Sequence, residues 1–210
     1  METVRSRRDE YSDATRRALL DAATELFARD GFAATSLDAV AAECRVTKGA
    51  VYHHFAGKQA LFEEVLTESA QSTCDAIVAE ASRHTDVWDG ASAGLDVFLA
   101  RCQDPVYLRL CFQEGPAALG FTQWWQHGER YEMGLIGAML AALKAEGLLD
   151  VDDVEVLTQL LFGSMTAAAL SVARSDDRAE IARRIKDVLT RVLVGLRPPE
   201  PSSRSRSRRR

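Results

Sequence analysis

Residues 47–62 read TKGAVYHHFAGKQALF, and the fold turns on how this stretch is parsed. A threonine ahead of a short apolar-periodic run is an N-cap signal, so Thr47 is expected to start a helix over 48–55. Gly57 breaks the chain, and a longer helix should follow from Lys58 through Leu61, Phe62, Val65 and Leu66. Within the short helix Val51 and Phe55 are four apart and share a face. Lys48, Ala50, Tyr52 and His53 are then turned outward. Gly49 carries no side chain, so another backbone can approach closely there.

Reading back toward the N-terminus, Leu37, Val40 and Ala41 suit the inner face of a second short helix. It starts at Thr35 or Ser36, has Asp38 in its first turn to favour the dipole, and ends near Cys44. Before it, a helix over 12–30 is expected, with Ser12 as cap and Gly31 as a left-handed stop. Leu19, Ala23, Leu26 and Phe27 line one face of that helix. Two short helices joined by a tight turn and braced by longer ones form a helix-turn-helix. A helix of about nine residues is about 13 Å long. It can enter a B-DNA major groove, roughly 12 Å wide.

Reading forward, aromatic residues cluster between Trp88 and Met133. Asp104-Pro105 reads as a cap with a first-turn proline. Gly115-Pro116 reads as a break or kink, and residues 119–145 as one helix ending at Gly147. Two further helices, rich in small and aliphatic residues, are expected over 152–174 and 177–196. Long β-branched alternations are missing, so the fold class is all-α, with about nine helices. The expected organisation is an N-terminal arm (1–11), a helix-turn-helix domain (12–57), a second helical domain (58–197) and a disordered basic tail (198–210). The last residues, EPSSRSRSRRR, hold too little apolar surface to order themselves.

The 210 residues are 47% hydrophobic and 27% charged with net charge −5, ordinary for a soluble globular protein. That charge argues against indiscriminate coating of nucleic acid, but Arg/Lys and Asp/Glu balance over residues 1–60, which leaves room for a local basic face. No uninterrupted apolar run approaches the roughly 18 residues of a membrane span. The N-terminus lacks the apolar stretch of a secretory signal. Cys44, Cys74, Cys102 and Cys111 are scattered without a CxxC pair, as expected for reduced thiols in a cytoplasmic protein. There is no phosphate-binding glycine loop, HExxH or nucleophile elbow, and His84 and His127 lack partners at metal-ligand spacing. No enzyme, cofactor, metal or membrane partner is expected.

The segment GFAATSLDAVAAECRVTKGAVYHHFAGKQALFEEVL resembles the DNA-binding region of TetR-family transcriptional regulators over about residues 12–66. The likeness rests on Phe32 after the helix-one glycine, the Thr-Ser pair, the Val-Thr-Lys-Gly turn into VYHHF, and the lysine opening the next helix. EGPAALGFTQWWQHGERY is similar to a motif of one branch of these regulators. The resemblance implies a homodimer whose heads bind a palindromic operator, most often as a repressor, and whose second domain binds a small effector that releases DNA. Arg45 stands where the family usually has glycine. Gly57 and Gln59 replace a side-chain cap and an acidic residue around Lys58.

On this basis Thr35, Ser36, Thr47, Tyr52 and Lys58 are expected to position phosphates, with Arg45 adding a phosphate contact. Lys48, Gly49, Ala50 and His53 are expected to read bases: lysine donates to guanine, alanine meets a thymine methyl. His54 is expected to pack or to face solvent. Trp88, Phe98, Tyr107, Phe112, Phe121, Trp124, Trp125 and Phe162 are candidates for an effector pocket, with Gln123, Glu114 or His127 as polar anchors. Few charges stand among these aromatics, so an apolar or amphipathic effector is expected. Leu160, Leu161, Met165, Ala168, Ala169 and Val172, with Ile185, Val188, Leu189, Val192 and Leu193, are expected to form a four-helix bundle across a dimer axis. The alternative is a ligand-independent, architectural DNA-binding protein whose arginine-rich tail adds non-specific affinity.

Overall fold

Polar side chains placed at chain breaks set where most helices begin. Ser36, Thr47, Asp86, Asp153 and Asp177 each accept a bond from the backbone N–H three residues on, and Asp104 from that of Val106. Each such cap stabilises by about 1 kcal/mol. The computed structural model describes residues 7–199 and contains, among them, nine helical rods and no strand. These are α1 (Arg7–Asp30), α2 (Leu37–Glu43), α3 (Lys48–His54), α4 (Lys58–Ala81) and α5 (Val87–Arg101). Then follow α6 over 105–119, α7 over 121–145, α8 (Val154–Ala173) and α9 (Arg178–Gly195).

The head is built by α1–α3 against the start of α4. Leu19, Phe27, Val40, Val51, Leu61 and Phe62 are fully buried in its core. Phe27 and Phe62 meet edge to face at 5.0 Å, and Phe32 joins them at 5.1 Å from Phe62. Phe55 is buried as well, so α3 is fastened at both ends of its inner face. A second core joins α5 and α6 to α8 and α9 through Phe98, Leu99, Tyr107, Ala169, Val172 and Ala182. A third, around Leu140, Leu143 and Leu149, closes the far end of the bundle.

Four expectations are corrected here. Helix α1 begins at Arg7, so Ser12 lies inside it and residues 7–11 are not a separate arm. Residues 1–6 and the tail from 200 onward lie outside the described residues. Gly115-Pro116 does not break the chain. Residues Arg109–Glu114 widen into a π turn, the Gly115 N–H bonds back to the Leu110 carbonyl, and α6 runs on through Pro116. The extra residue absorbs the position where proline offers no N–H. Residues 119–145 are not one helix, because Gly120 at φ 76° turns the chain before Phe121; α7 then carries its own π turn over Glu129–Met133. Finally, α8 is more membrane-like than the sequence reading allowed. It is long and apolar enough to span a bilayer, with a mean hydropathy of 1.6 over its best window. Core helices of helical bundles share that pattern, and α8 packs here between α7 and α9.

Candidate nucleic-acid interface

The outer face of α3 is the exposed one. Lys48, Gly49, Tyr52 and His53 face solvent, Ala50 is half-buried, and Tyr52 keeps 51% of its surface exposed while Val51 keeps none. Four residues bring this about. Thr47 caps α3 by accepting from the Ala50 N–H at 3.2 Å. Val51 and Phe55 anchor the opposite face. Arg45, at φ 54°, takes the left-handed turn between α2 and α3 that the family gives to glycine. Its side chain is exposed.

Not every expected contact residue presents its polar group. The Thr35 side chain is buried at 3% exposure and its hydroxyl donates to the Gly31 carbonyl at 2.8 Å, so it braces the turn after α1 and cannot reach phosphate. Ser36 caps α2 and stays exposed. Lys58 folds inward: its Nζ donates to the Phe32 carbonyl at 2.7 Å and lies 4.4 Å from the Phe32 ring centre. Lys48 is ion-paired with Asp38 at 2.9 Å, but both ends are exposed and solvent screens the pair. It can exchange Asp38 for a base edge at small cost. His54 is half-buried beside Phe55, and burial holds its imidazole below the usual pKa.

Two apolar spaces lie in the second domain, and the expected aromatic residues divide between them. One, of about 30 Å³, is walled by Phe112, Trp124, Trp125, Phe162 and His127, with Glu132 on its lining. The other, of about 120 Å³, is lined by Trp88, Leu95, Met139, Leu161, Met165 and Leu189. Phe98 and Tyr107 line neither; both are buried in the core. Phe121 is 66% exposed and stacks on Trp125. Of the expected anchors only His127 lines a space, and it also sits 3.1 Å from the Thr67 hydroxyl. Gln123 pairs with Gln59.

Glu114 does something the sequence reading did not foresee. Its Oε2 accepts the Phe32 N–H at 2.8 Å, reaching across to the head. Arg109, on the same π turn, donates to the Arg29 carbonyl at 3.0 Å. Leu110, between them, is buried in the core of the head. Gly31, at φ 85°, leaves the room for this grip: a Cβ there would meet Glu114 Oε1 at 2.9 Å. Burial favours the protonated form of the thiols. Burial pushes Cys74 up to about 11 and Cys111 up to about 12, and Cys102 higher still.

The architecture and the exposed short helix now stand beside known proteins. The family model described as "Tetracyclin repressor-like, C-terminal domain" matches residues 88–196, and "Bacterial regulatory proteins, tetR family" matches residues 19–65. The chain belongs to the TetR family. The N-terminal match thus runs from within α1 to the start of α4, and the C-terminal match covers α5–α9. Among relatives, the TetC protein of transposon Tn10 from Escherichia coli is 26% identical over 159 residues, 76% of this chain and 80% of that one. UidR of Escherichia coli is 35% identical over 57 residues, only 27% of this chain and 29% of its own. The crystal structure of a TetR-family regulator from Pectobacterium atrosepticum superposes with a TM-score of 0.76 at 25% identity, covering 93% of this chain and 99% of that one. This TetR-family member is therefore a DNA-binding transcriptional regulator.

Proposed function

We propose that this regulator is a ligand-responsive repressor that binds a palindromic operator as a homodimer in the cytoplasm and is released by a small effector. The observation that carries this is the π turn of α6. One side of it grips the head through Arg109, Leu110 and Glu114, and the other, with Cys111 and Phe112, lines the aromatic space. A ligand that moves Phe112 therefore acts on a segment that also holds Phe32 and the end of α1. Release follows from linkage, in proportion to the ligand's differential affinity for the two arrangements.

On the head, Tyr52, Thr47, Ser36 and Arg45 are assigned to phosphates, and Lys48, Gly49, Ala50 and His53 to bases. A helix of seven residues makes few contacts, so specific affinity requires two heads at half-sites a helical turn or more apart. Part of the expected dimer surface is turned inward, while Leu160, Val188 and Val192 stay exposed. Ala168 and Val172 are buried inside the protomer, and Leu161, Met165 and Leu189 line the larger apolar space. The exposed apolar stripe is Val156 and Leu160 on α8 with Val188 and Val192 on α9, and we assign the two-fold contact to it.

The test is footprinting and anisotropy titration on DNA upstream of the chain's own gene. A repressor prefers one palindrome over random duplex by about 10³ or more at physiological salt. Tyr52→Ala should weaken that binding roughly tenfold or more. It should leave the melting temperature unchanged, because the ring is half exposed. Uniform affinity for all sequences would overturn the reading.

A further inference from the structure

Glu132 is the one acid of α7 that its surroundings do not explain. Among the described residues it has no hydrogen-bond or ion-pair partner. Burial pushes its carboxyl up to about 7. It lies on the second π turn, on the lining of the 30 Å³ space, among Phe112, Trp124, Trp125 and Phe162. Phe162 and Trp125 meet edge to face at 4.8 Å, and Trp124 and Phe112 at 6.2 Å, so ring faces and edges line the same space as Glu132. The neighbouring groups cannot neutralise it. His127 is held neutral by burial and by Arg130, and the Cys111 thiol stays protonated.

A half-buried carboxylate without a partner is costly, and aromatic rings attract cations through their faces. The space is too small for a drug-sized body but large enough for a group the size of a water molecule. We propose that this space is the head-group site for an organic amine: a primary ammonium pairs with Glu132 inside the aromatic walls, and the ligand's apolar body extends outward past Trp124 and Trp125. Both tryptophans are half-buried, so the space reaches the surface on their side. This sharpens the expectation of an apolar or amphipathic effector to an amphipathic cation. It relies on the repressor reading only for its regulatory consequence.

The experiment measures binding to the full-length protein without DNA, by calorimetry and by tryptophan emission. The probes are n-hexylamine, 1-hexanol and hexanoate, which match in length and differ in charge. Hexylammonium should bind at least tenfold more tightly than hexanol, and hexanoate should bind least. Glu132→Gln, which keeps the shape and removes the charge, should erase the preference for amine over alcohol. Trp125→Leu should lower amine affinity roughly threefold or more and leave hexanol affinity nearly unchanged. Equal binding of amine and alcohol, or amine binding undiminished in Glu132→Gln, would overturn the proposal. So would a lack of amine binding to the folded wild-type protein. Operator release by the amine is then assayed separately. If the amine binds through Glu132 but DNA is retained, the head-group site stands and the effector reading falls.

Discussion

Arg45 and Glu132 each hold a position that local chemistry disfavours. A non-glycine residue in the left-handed region costs about 1–2 kcal/mol, and Arg45 sits at φ 54°. Arg45→Gly should raise stability by up to about 1 kcal/mol in a thermal melt, since glycine's unfolded-state entropy offsets part of the gain. The same variant should lower the slope of operator affinity against salt by about one. Glu132 gives a pH signature. Its carboxyl moves from 4.5 to about 7 on folding, so the native state holds the proton more tightly. Its contribution to stability is therefore best below about pH 4.5 and declines as pH rises to about 7, with the full penalty above. Glu132→Gln should match wild type at pH 4 and exceed it at pH 8 by up to about 3 kcal/mol, at about 1.4 kcal/mol per unit. Thr35 and Lys58 show what the chain alone hides. Their types suit phosphate, but the carbonyls of Gly31 and Phe32, exposed by the turn after α1, capture both.

At the scale of elements, the head was readable because its signals are local. Caps at Ser36 and Thr47, the stop at Gly31 and the Val51–Phe55 spacing act within a few residues, and the structure uses each. The second domain was readable only in outline. Aromatic residues at helical spacing fit a core as well as a cavity, and Phe98 and Tyr107 went to the core. Nor does any composition signal mark a π turn, apart from Pro116 one residue beyond Gly115. The Glu114–Phe32 bond spans 82 residues and leaves no local trace. Glu114→Gln keeps one acceptor for the Phe32 N–H but loses the charge that faces Arg109 at 3.6 Å. It should leave operator affinity without effector within about threefold of wild type and reduce effector-induced release, read by anisotropy with and without ligand.

For the whole molecule, the proposed homodimer makes the separation of two heads the decisive quantity, and assigns it to the α8–α9 stripe. Leu160 is 64% exposed and Val188 60%, more than an isolated bundle gains from leaving bare. Leu160→Asp or Val188→Asp should convert the protein to monomers in sedimentation and abolish selective operator binding. The head of each protomer should remain folded by circular dichroism, because neither side chain supports the protomer's interior.

A turn that winds one residue too many fixes the rotational phase between the two ends of α6. Excising a single residue from 109–114 would shift every later position on that rod by about 100° and leave it helical. Phe112 and Glu114 would then no longer face the cavity and the head at once. On the proposed reading the surplus residue works as a gear tooth, meshing ligand and operator in a rod whose length and caps would look the same without it.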